Sequence, residues 1–294
     1  MSLPNAMSCD LEDYFQVQNC ASIVPREAWA ATPSRLEAST DRVLALFAEA
    51  GIQATFFVLG WNAERHPALV RRIAAAGHEI ASHGYGHRMI FEQTPEEFRQ
   101  DVTRSKALLE DLAGQPVLGY RAPTFSITER SLWALAILAE AGYRYDSSIF
   151  PIRHDRYGIP SAPRFLHELP GSNGHRLVEF PPTTARLLGC NVPVAGGGYL
   201  RLFPVRLIAA AFCRANRRGH PVIVYFHPWE LDPGQPRLPM RGLNRFRHYV
   251  NLGRTADKLR CLLRCLPFTT ARAVIEQWKA EADASAPPAN EEDR

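Results

Sequence analysis

The stretch LEASTDRVLALFAEAGIQATFFVL, residues 36–59, decides the fold class. Its first fifteen residues carry apolar side chains at Leu36, Val43, Leu44 and Phe47, the face of an amphipathic helix. Gly51 follows where a helix stop needs left-handed backbone. Ala54-Thr55-Phe56-Phe57-Val58-Leu59 then reads as a strand buried on both sides, as strands of parallel sheets are. The same order recurs along the chain. Pro67–Ala76 stops at Gly77 before His78-Glu79-Ile80-Ala81-Ser82-His83. A third helix opens at Thr94-Pro95-Glu96-Glu97, with Thr94 as N-cap, Pro95 first and Glu97 completing a capping box. Gly114 and Pro116 end it ahead of Val117-Leu118-Gly119-Tyr120. A fourth, capped by Thr128, runs to Gly142 and leads into Tyr143-Arg144-Tyr145. The fifth, Val205–Arg218, stops at Gly219 before Pro221–Phe226.

Helix followed at once by strand, five times over, predicts a parallel sheet. An open doubly wound sheet usually begins with a Gly-rich phosphate turn after its first strand, and none follows here. The expectation from the pattern is an α/β fold, a (β/α) barrel with fewer than eight regular units. No Pro/Ser-rich linker interrupts residues 10–275, so residues 1–280 read as one domain. The acidic, Ala/Pro-rich stretch 281–294 reads as a disordered tail. Between Asp155 and Gly198 the pattern is less regular, with one strand at Leu177–Phe180. Gly196-Gly197-Gly198 reads there as a flexible turn.

Composition narrows the function classes. The 294 residues hold 34 Lys and Arg against 30 Asp and Glu, with 46% hydrophobic and 22% charged residues, which excludes collagen, low-complexity disorder and a long coiled coil. The net charge of +4 divides unevenly, because residues 281–294 carry five acids and one base. The body before them is thus more basic than the total, but no Lys/Arg run supports nucleic-acid binding. No apolar run is long enough for a spanning helix, and Met1–Asp13 lacks the basic start and apolar core of a secretory signal, so a cytoplasmic location is expected. The six cysteines are scattered without a CxxC pair and read as small buried apolar residues.

Five segments carry chemistry, each where a strand ends. Ser8-Cys9-Asp10-Leu11-Glu12-Asp13 crowds three carboxylates into four residues beside a core strand, which is costly unless a cation is present. Ser82-His83-Gly84-Tyr85-Gly86-His87 sets two histidines four apart, a spacing that lets both imidazoles reach one metal. With a carboxylate from the first segment they form a 2-His-1-carboxylate set suited to Zn, Fe, Co or Ni. Gly119-Tyr120-Arg121-Ala122-Pro123-Thr124-Phe125, Tyr145-Asp146-Ser147-Ser148 and Tyr225-Phe226-His227-Pro228-Trp229-Glu230 complete the group.

In this order the five segments resemble the motifs of the NodB-homology polysaccharide deacetylases, carbohydrate esterase family 4. The DxEDYF opening, RAPTFS, DSSIFP and FHPWE look most like the subfamily of exosortase-linked exopolysaccharide loci. The resemblance spans roughly Met7 to Ile275 and implies a distorted, incomplete (β/α) barrel of about seven parallel strands and metal-dependent removal of acetyl groups from N-acetylated sugars, with zinc the expected metal. His83 and His87 match the metal-binding histidines, and Asp13, with Glu12 a near equal, matches the third ligand. Asp10 matches the general base, Arg121 the residue that orients it, His227 the general acid and Asp146 the carboxylate that tunes that histidine. Thr124, Phe125 and Trp229 are expected to meet substrate, Thr124 through its backbone N–H. Gly84, where many relatives have Ser or Thr, departs from the pattern. Rival readings are an allantoinase-like hydrolase of small amides and a non-catalytic carbohydrate-binding relative. A lipid-linked precursor as substrate would place the protein at the inner membrane face. The segment Arg254–Leu266, with Arg260, Arg264 and Leu259, Leu262, Leu263 and Leu266, is the candidate lipid contact.

Overall fold

Along Asn5–Leu11 successive side chains serve two different interiors. The strand, β1, is buried throughout. Met7, Cys9 and Leu11 belong to the large core under the helices, whereas Ala6 belongs to a second, smaller core. The same split recurs at Phe56 and Phe57 and at Ile80 and Ala81, the period-2 signature of a sheet covered on both faces. Such strands present one row of side chains to surrounding helices and the other to the inside of a curled sheet.

The computed structural model describes residues 3–172 and 175–285. In chain order the elements are β1, α1 (Leu36–Ala50), β2 (Thr55–Val58), α2 (Gly60–Arg65), α3 (Pro67–Ala75), β3 (Glu79–Ser82), α4 (Pro95–Ala113), β4 (Gly119–Tyr120), α5 (Ala134–Glu140) and β5 (Tyr145–Asp146). Then come β6 (His167–Ser172), β7 (His175–Glu179), β8 (Thr184–Leu187), β9 (Cys190–Pro193), α6 (Gly197–Leu202), α7 (Val205–Asn216), β10 (Ile223–Phe226), α8 (Gly242–Tyr249), α9 (Thr255–Cys265), β11 (Phe268–Thr269) and α10 (Ala271–Ser285). The main sheet runs β10-β1-β2-β3-β4-β5-β7-β6, with β11 also paired to β1. All of its pairs are parallel except the β6–β7 hairpin. The expected incomplete (β/α) barrel of about seven parallel strands is therefore the observed one, with the small β8–β9 ribbon set apart.

The two ends of the barrel are used differently. At the N-terminal ends of the strands, Ala271, Val274 and Ile275 of α10 pack on Ala6, Phe57 and Ile223 and close the bottom. The C-terminal ends are left to the loops that carry the five segments.

Helix ends follow the local chemistry. Thr94 and Glu97 form the expected capping box, and Gly114 stops α4 in the left-handed conformation (φ 64°). Thr128 departs from expectation: its box partner is Ser131, so it caps only a single 3-10 turn, Glu129–Ser131, before α5 begins at Ala134. Gly196-Gly197-Gly198 is no flexible turn but opens α6. A Cβ on Gly196 would lie 1.7 Å from the Tyr225 carbonyl oxygen, so only glycine fits where α6 meets β10. The acidic stretch beginning at residue 281 starts as the last turn of α10, and residues 286–294 lie outside the described residues. Of the six cysteines only Cys9 and Cys20 are buried, against the expectation for the set; Cys190 and Cys265 are exposed.

One further expectation, the lipid contact, changes. The leucines of α9 offer no face to lipid, because Leu259 and Leu262 are fully buried and Leu263 and Leu266 pack on the same core. No helix among the described residues is long and apolar enough to cross a membrane.

Candidate active site

Where β1 ends, its backbone turns at once: the Glu12 amide donates to the Asp10 carbonyl at 2.8 Å. The tight turn leaves Asp10 facing inwards and swings Glu12, not Asp13, towards β3. Glu12 Oε1 lies 2.9 Å from His83 Nε2 and 3.1 Å from His87 Nε2. Asp13 points elsewhere. Its carboxylate accepts from the Tyr14 amide (2.8 Å), the Ser34 hydroxyl (2.6 Å) and the Arg35 amide (2.9 Å), tying the loop to the start of α1. The carboxylate in the histidine cluster is thus Glu12, and the expectation for Asp13 is corrected.

His83 ends β3, and its Nδ1–H donates to the Arg121 carbonyl at 2.7 Å. In the neutral ring Nε2 then holds a lone pair aimed at Glu12. Two imidazole nitrogens and a carboxylate oxygen facing one another repel unless a proton or cation lies between them. The three donor atoms lie within 4.8 Å of one another, and Glu12 Oε2 is buried with no partner. Nitrogen and oxygen donors of this kind suit a divalent transition metal, and the residues fit one. Burial pushes the Glu12 carboxyl up, but His87, His227 and His83 outweigh it and hold it well below the usual carboxylate range.

The loop from Gly84 to His87 is shaped by Asp101 on α4, whose carboxylate accepts the Tyr85 amide at 2.8 Å. Gly84 sits at φ +72°, and a Cβ there would come within 2.9 Å of Asp101 Oδ1. Any side chain would be strained at this position, which accounts for the departure noted in the sequence.

Arg121 follows β4 and is fully buried. Its guanidinium donates to Asp10 Oδ1 (2.6 Å), to the Ser8 and Ser147 hydroxyls (2.9 Å each) and to the Ser147 carbonyl (3.2 Å). It also lies 4.0 Å from the Phe57 ring centre. The Asp10 carboxylate is thereby fixed in place. Beyond Arg121 the chain makes a tight turn in which Thr124 and Phe125 both adopt left-handed backbone, at φ 56° and 52°. Two consecutive residues of this kind are costly, and such strain concentrates at ligand sites. The Phe125 amide is taken by the Ala122 carbonyl at 3.0 Å.

His227 leaves the end of β10. Its partner is Glu230, three residues on: Glu230 Oε1 accepts both the His227 amide (3.0 Å) and Nδ1–H (2.8 Å). Burial pulls the imidazole down, yet Glu12 and Glu230 raise it to about 9. Glu230 in turn accepts from Arg201 Nε at 2.5 Å. Asp146 does not take part. It faces Glu179 across β5 and β7, and accepts from the Ser148 hydroxyl. Burial raises Asp146 to about 6, and burial and the Asp146 charge hold Glu179 well above the usual range. Asp146 Oδ2 and Glu179 Oε2 have no other partner, as expected of two carboxyls sharing a proton. Sequence reasoning missed Glu230, although Pro at the first helical position with Glu two residues later spells a capping box headed by His227. Arg201 and Glu179 carried no comparable signal.

Asp10, Glu12, His83, His87, Thr124, Phe125, His227 and Trp229 all line one cavity of about 360 Å³. Phe125 packs with Phe150, Tyr157 and Tyr225 on one side. On the other, Trp229 stacks between His227 (5.3 Å) and His248 (4.4 Å), with its buried indole N–H unpartnered. The cavity therefore combines a cation site, an Arg-held carboxylate, a carboxylate-held histidine and apolar aromatic walls. That set suits hydrolysis of a polar bond in a ligand with apolar faces.

Comparison with known proteins agrees. Residues 30–145 match the family described as Polysaccharide deacetylase, and residues 147–276 match a Domain of unknown function (DUF3473). The chain is 36% identical over 96 residues to a peptidoglycan-N-acetylglucosamine deacetylase of Bacillus cereus, a match covering 32% of this chain and 35% of that one. It thus spans about a third of that relative's length. A crystal structure of a protein from Mycobacterium smegmatis, taken to be a polysaccharide deacetylase, superimposes with a TM-score of 0.62 at 22% identity, covering 96% of both chains. Puue allantoinase superimposes with a TM-score of 0.60 at 16% identity, covering 95% of this chain and 90% of that one. Both share the fold. Over residues 30–145 the chain is a polysaccharide deacetylase domain of the NodB type.

Proposed function

We propose that the protein is a metal-dependent hydrolase of linear, non-peptide amides that removes the acetyl group from N-acetylated sugars of a polysaccharide or its lipid-linked precursor. The observation that carries this reading is the convergence of Glu12, His83 and His87 beside Asp10 and His227 in one cavity. Support comes also from the deacetylase named among the relatives.

Glu12, His83 and His87 would hold the metal, with zinc the first expectation from a mixed imidazole and carboxylate set. When bound, such a metal supplies Lewis acidity, lowering the pKa of water and polarising the acetyl carbonyl. Asp10 takes the proton from the attacking water, and Arg121 keeps its carboxylate aimed. The Thr124 amide, on the cavity wall, donates to the carbonyl oxygen as charge develops there. His227 has Nδ1 committed to Glu230, which leaves Nε2 to protonate the departing nitrogen. Without that proton the leaving group would be an amide anion, so an acid held cationic near neutral pH matches the task. Trp229 and Phe125 supply faces on which the apolar side of a sugar ring packs.

The test is metal content and acetate release measured on the same purified samples, with N-acetylated oligosaccharides as substrate. Glu12→Ala should lose both. Asp13→Ala should retain stoichiometric metal, since its carboxylate serves the α1 junction. Full metal in Glu12→Ala would break the site assignment. Hydrolysis of allantoin without acetate release from any glycan would move the protein to the small-amide branch.

A further inference from the structure

Seven large hydrophobic side chains are exposed among the described residues, and three of them meet at one place. Leu202 at the end of α6 is 46% exposed, and Leu243 and Phe246 on α8 are 58% and 51% exposed. All three line the cavity, so they form an apolar lip at its mouth. Scattered exposed leucines need no explanation, but a cluster on the rim of a site marks a contact surface.

The charge around the lip is mainly positive, with Asp155 the carboxylate that meets it, beside Arg156 and Arg247. From Asp232 to Asp257 the intervening chain has five arginines and no carboxylate. Arg241 and Arg245, which flank Leu243, are exposed and make no ion pair among the described residues. Elsewhere on the surface Arg72, Arg99, Arg104 and Arg260 each meet a carboxylate. The lip is also rigid. Arg201 donates to the carbonyls of Arg247, His248 and Val250, holding the C-terminal end of α8, and the same guanidinium holds Glu230.

We propose that the α8 lip seats the protein on an anionic phospholipid bilayer, with the cavity mouth turned to the surface. Leucine has no flat face for stacking on a sugar, whereas Leu and Phe beside unpaired Arg match the acyl boundary and the phosphates above it. A second copy of the chain is a poorer occupant, because two such basic patches would repel. The seat deepens the deacetylase reading by naming the substrate's anchor: a glycan still joined to lipid. Only that last step rests on the reading of the cavity; bilayer binding stands apart from turnover.

Sedimentation with vesicles tests it. The wild type should pellet with vesicles of phosphatidylcholine and phosphatidylglycerol at low salt, not with phosphatidylcholine alone, and salt should release it. Leu243→Ser/Phe246→Ser and Arg241→Gln/Arg245→Gln should each weaken binding about tenfold or more. Unchanged thermal midpoints show that both variants fold. No pelleting with the anionic vesicles, or equal pelleting of both variants, overturns the proposal. So does a wild-type dimer in light scattering that Leu243→Ser/Phe246→Ser makes monomeric, since a second copy would then own the face. Acetate release from a soluble oligosaccharide, run on the same samples, reports separately on the deacetylase reading.

Discussion

At the scale of the residue, the site depends on which carboxylate stands beside which ring. His227 is held by Glu230 through both its backbone amide and Nδ1–H. The negative charges of Glu12 and Glu230 overcome burial and raise the imidazole to about 9. A general acid works only while protonated, so activity should hold below that value and fall as pH rises through it. Glu230→Gln keeps a hydrogen-bond acceptor but removes one charge. The alkaline limb of kcat/KM should then move to lower pH by about one unit. Arg201 keeps its three carbonyl partners, so the variant folds. A limb that stays in place would take proton donation away from His227. The histidines, Asp10 and Arg121 were legible in the sequence because each follows a strand-like run directly. The carboxylates were less so. Choosing Glu12 over Asp13 needs the backbone turn after β1, whereas Glu230 was spelled locally by the box that His227 heads and was overlooked in favour of a carboxylate at another strand end.

At the scale of the element, α4 illustrates how local chemistry sets boundaries. The Thr94 hydroxyl accepts the Glu97 amide at 3.2 Å while the Glu97 carboxylate accepts the Thr94 amide at 2.8 Å. Thr94→Ala should cost about 1 kcal/mol in urea denaturation, and no measurable loss would mean that Pro95 alone starts the helix. Helices ended by glycine and strands built from apolar runs were readable for this reason: stop, cap and period all lie within a few residues. Units with weaker punctuation were not. The β8–β9 ribbon has little burial pattern of its own, with Leu187 and Cys190 exposed. Leu259 and Leu262 of α9 and Leu243 of α8 look alike in sequence, yet the first two are core and the third is surface. Tertiary packing decides between them.

At the scale of the whole molecule, the interior of the barrel holds a proton store. Asp146 and Glu179 are both fully buried and face each other across β5 and β7, where burial pushes both carboxyls up, the condition for sharing one proton. Burial, the largest cause, raises Asp146 to about 6. A carboxyl with a raised folded pKa retains a proton that the unfolded chain has already released. Its contribution to stability is complete near pH 4 and is lost as pH rises through about 6. Glu179→Gln supplies an amide donor to Asp146 and removes the need for the shared proton. The variant should therefore gain on the wild type by a few kcal/mol in unfolding free energy between pH 4.5 and 7.5. A wild-type-minus-variant difference that does not change with pH would refute proton sharing.

The position of β1 in the sheet has a consequence for how the molecule comes into being. β1 is flanked by β2 on one side and by β10 on the other. Its register partners on β10 lie at residues 223–226. A chain emerging from the ribosome thus carries Asp10 on a strand with one edge unpaired until β10 has been made, and His227 follows Asp10 by 217 residues. Closure over so long a separation is slow, and the waiting edge invites pairing with other chains. A chain that ends before β10 therefore lacks both the strand that closes this side of β1 and the histidine of the cavity.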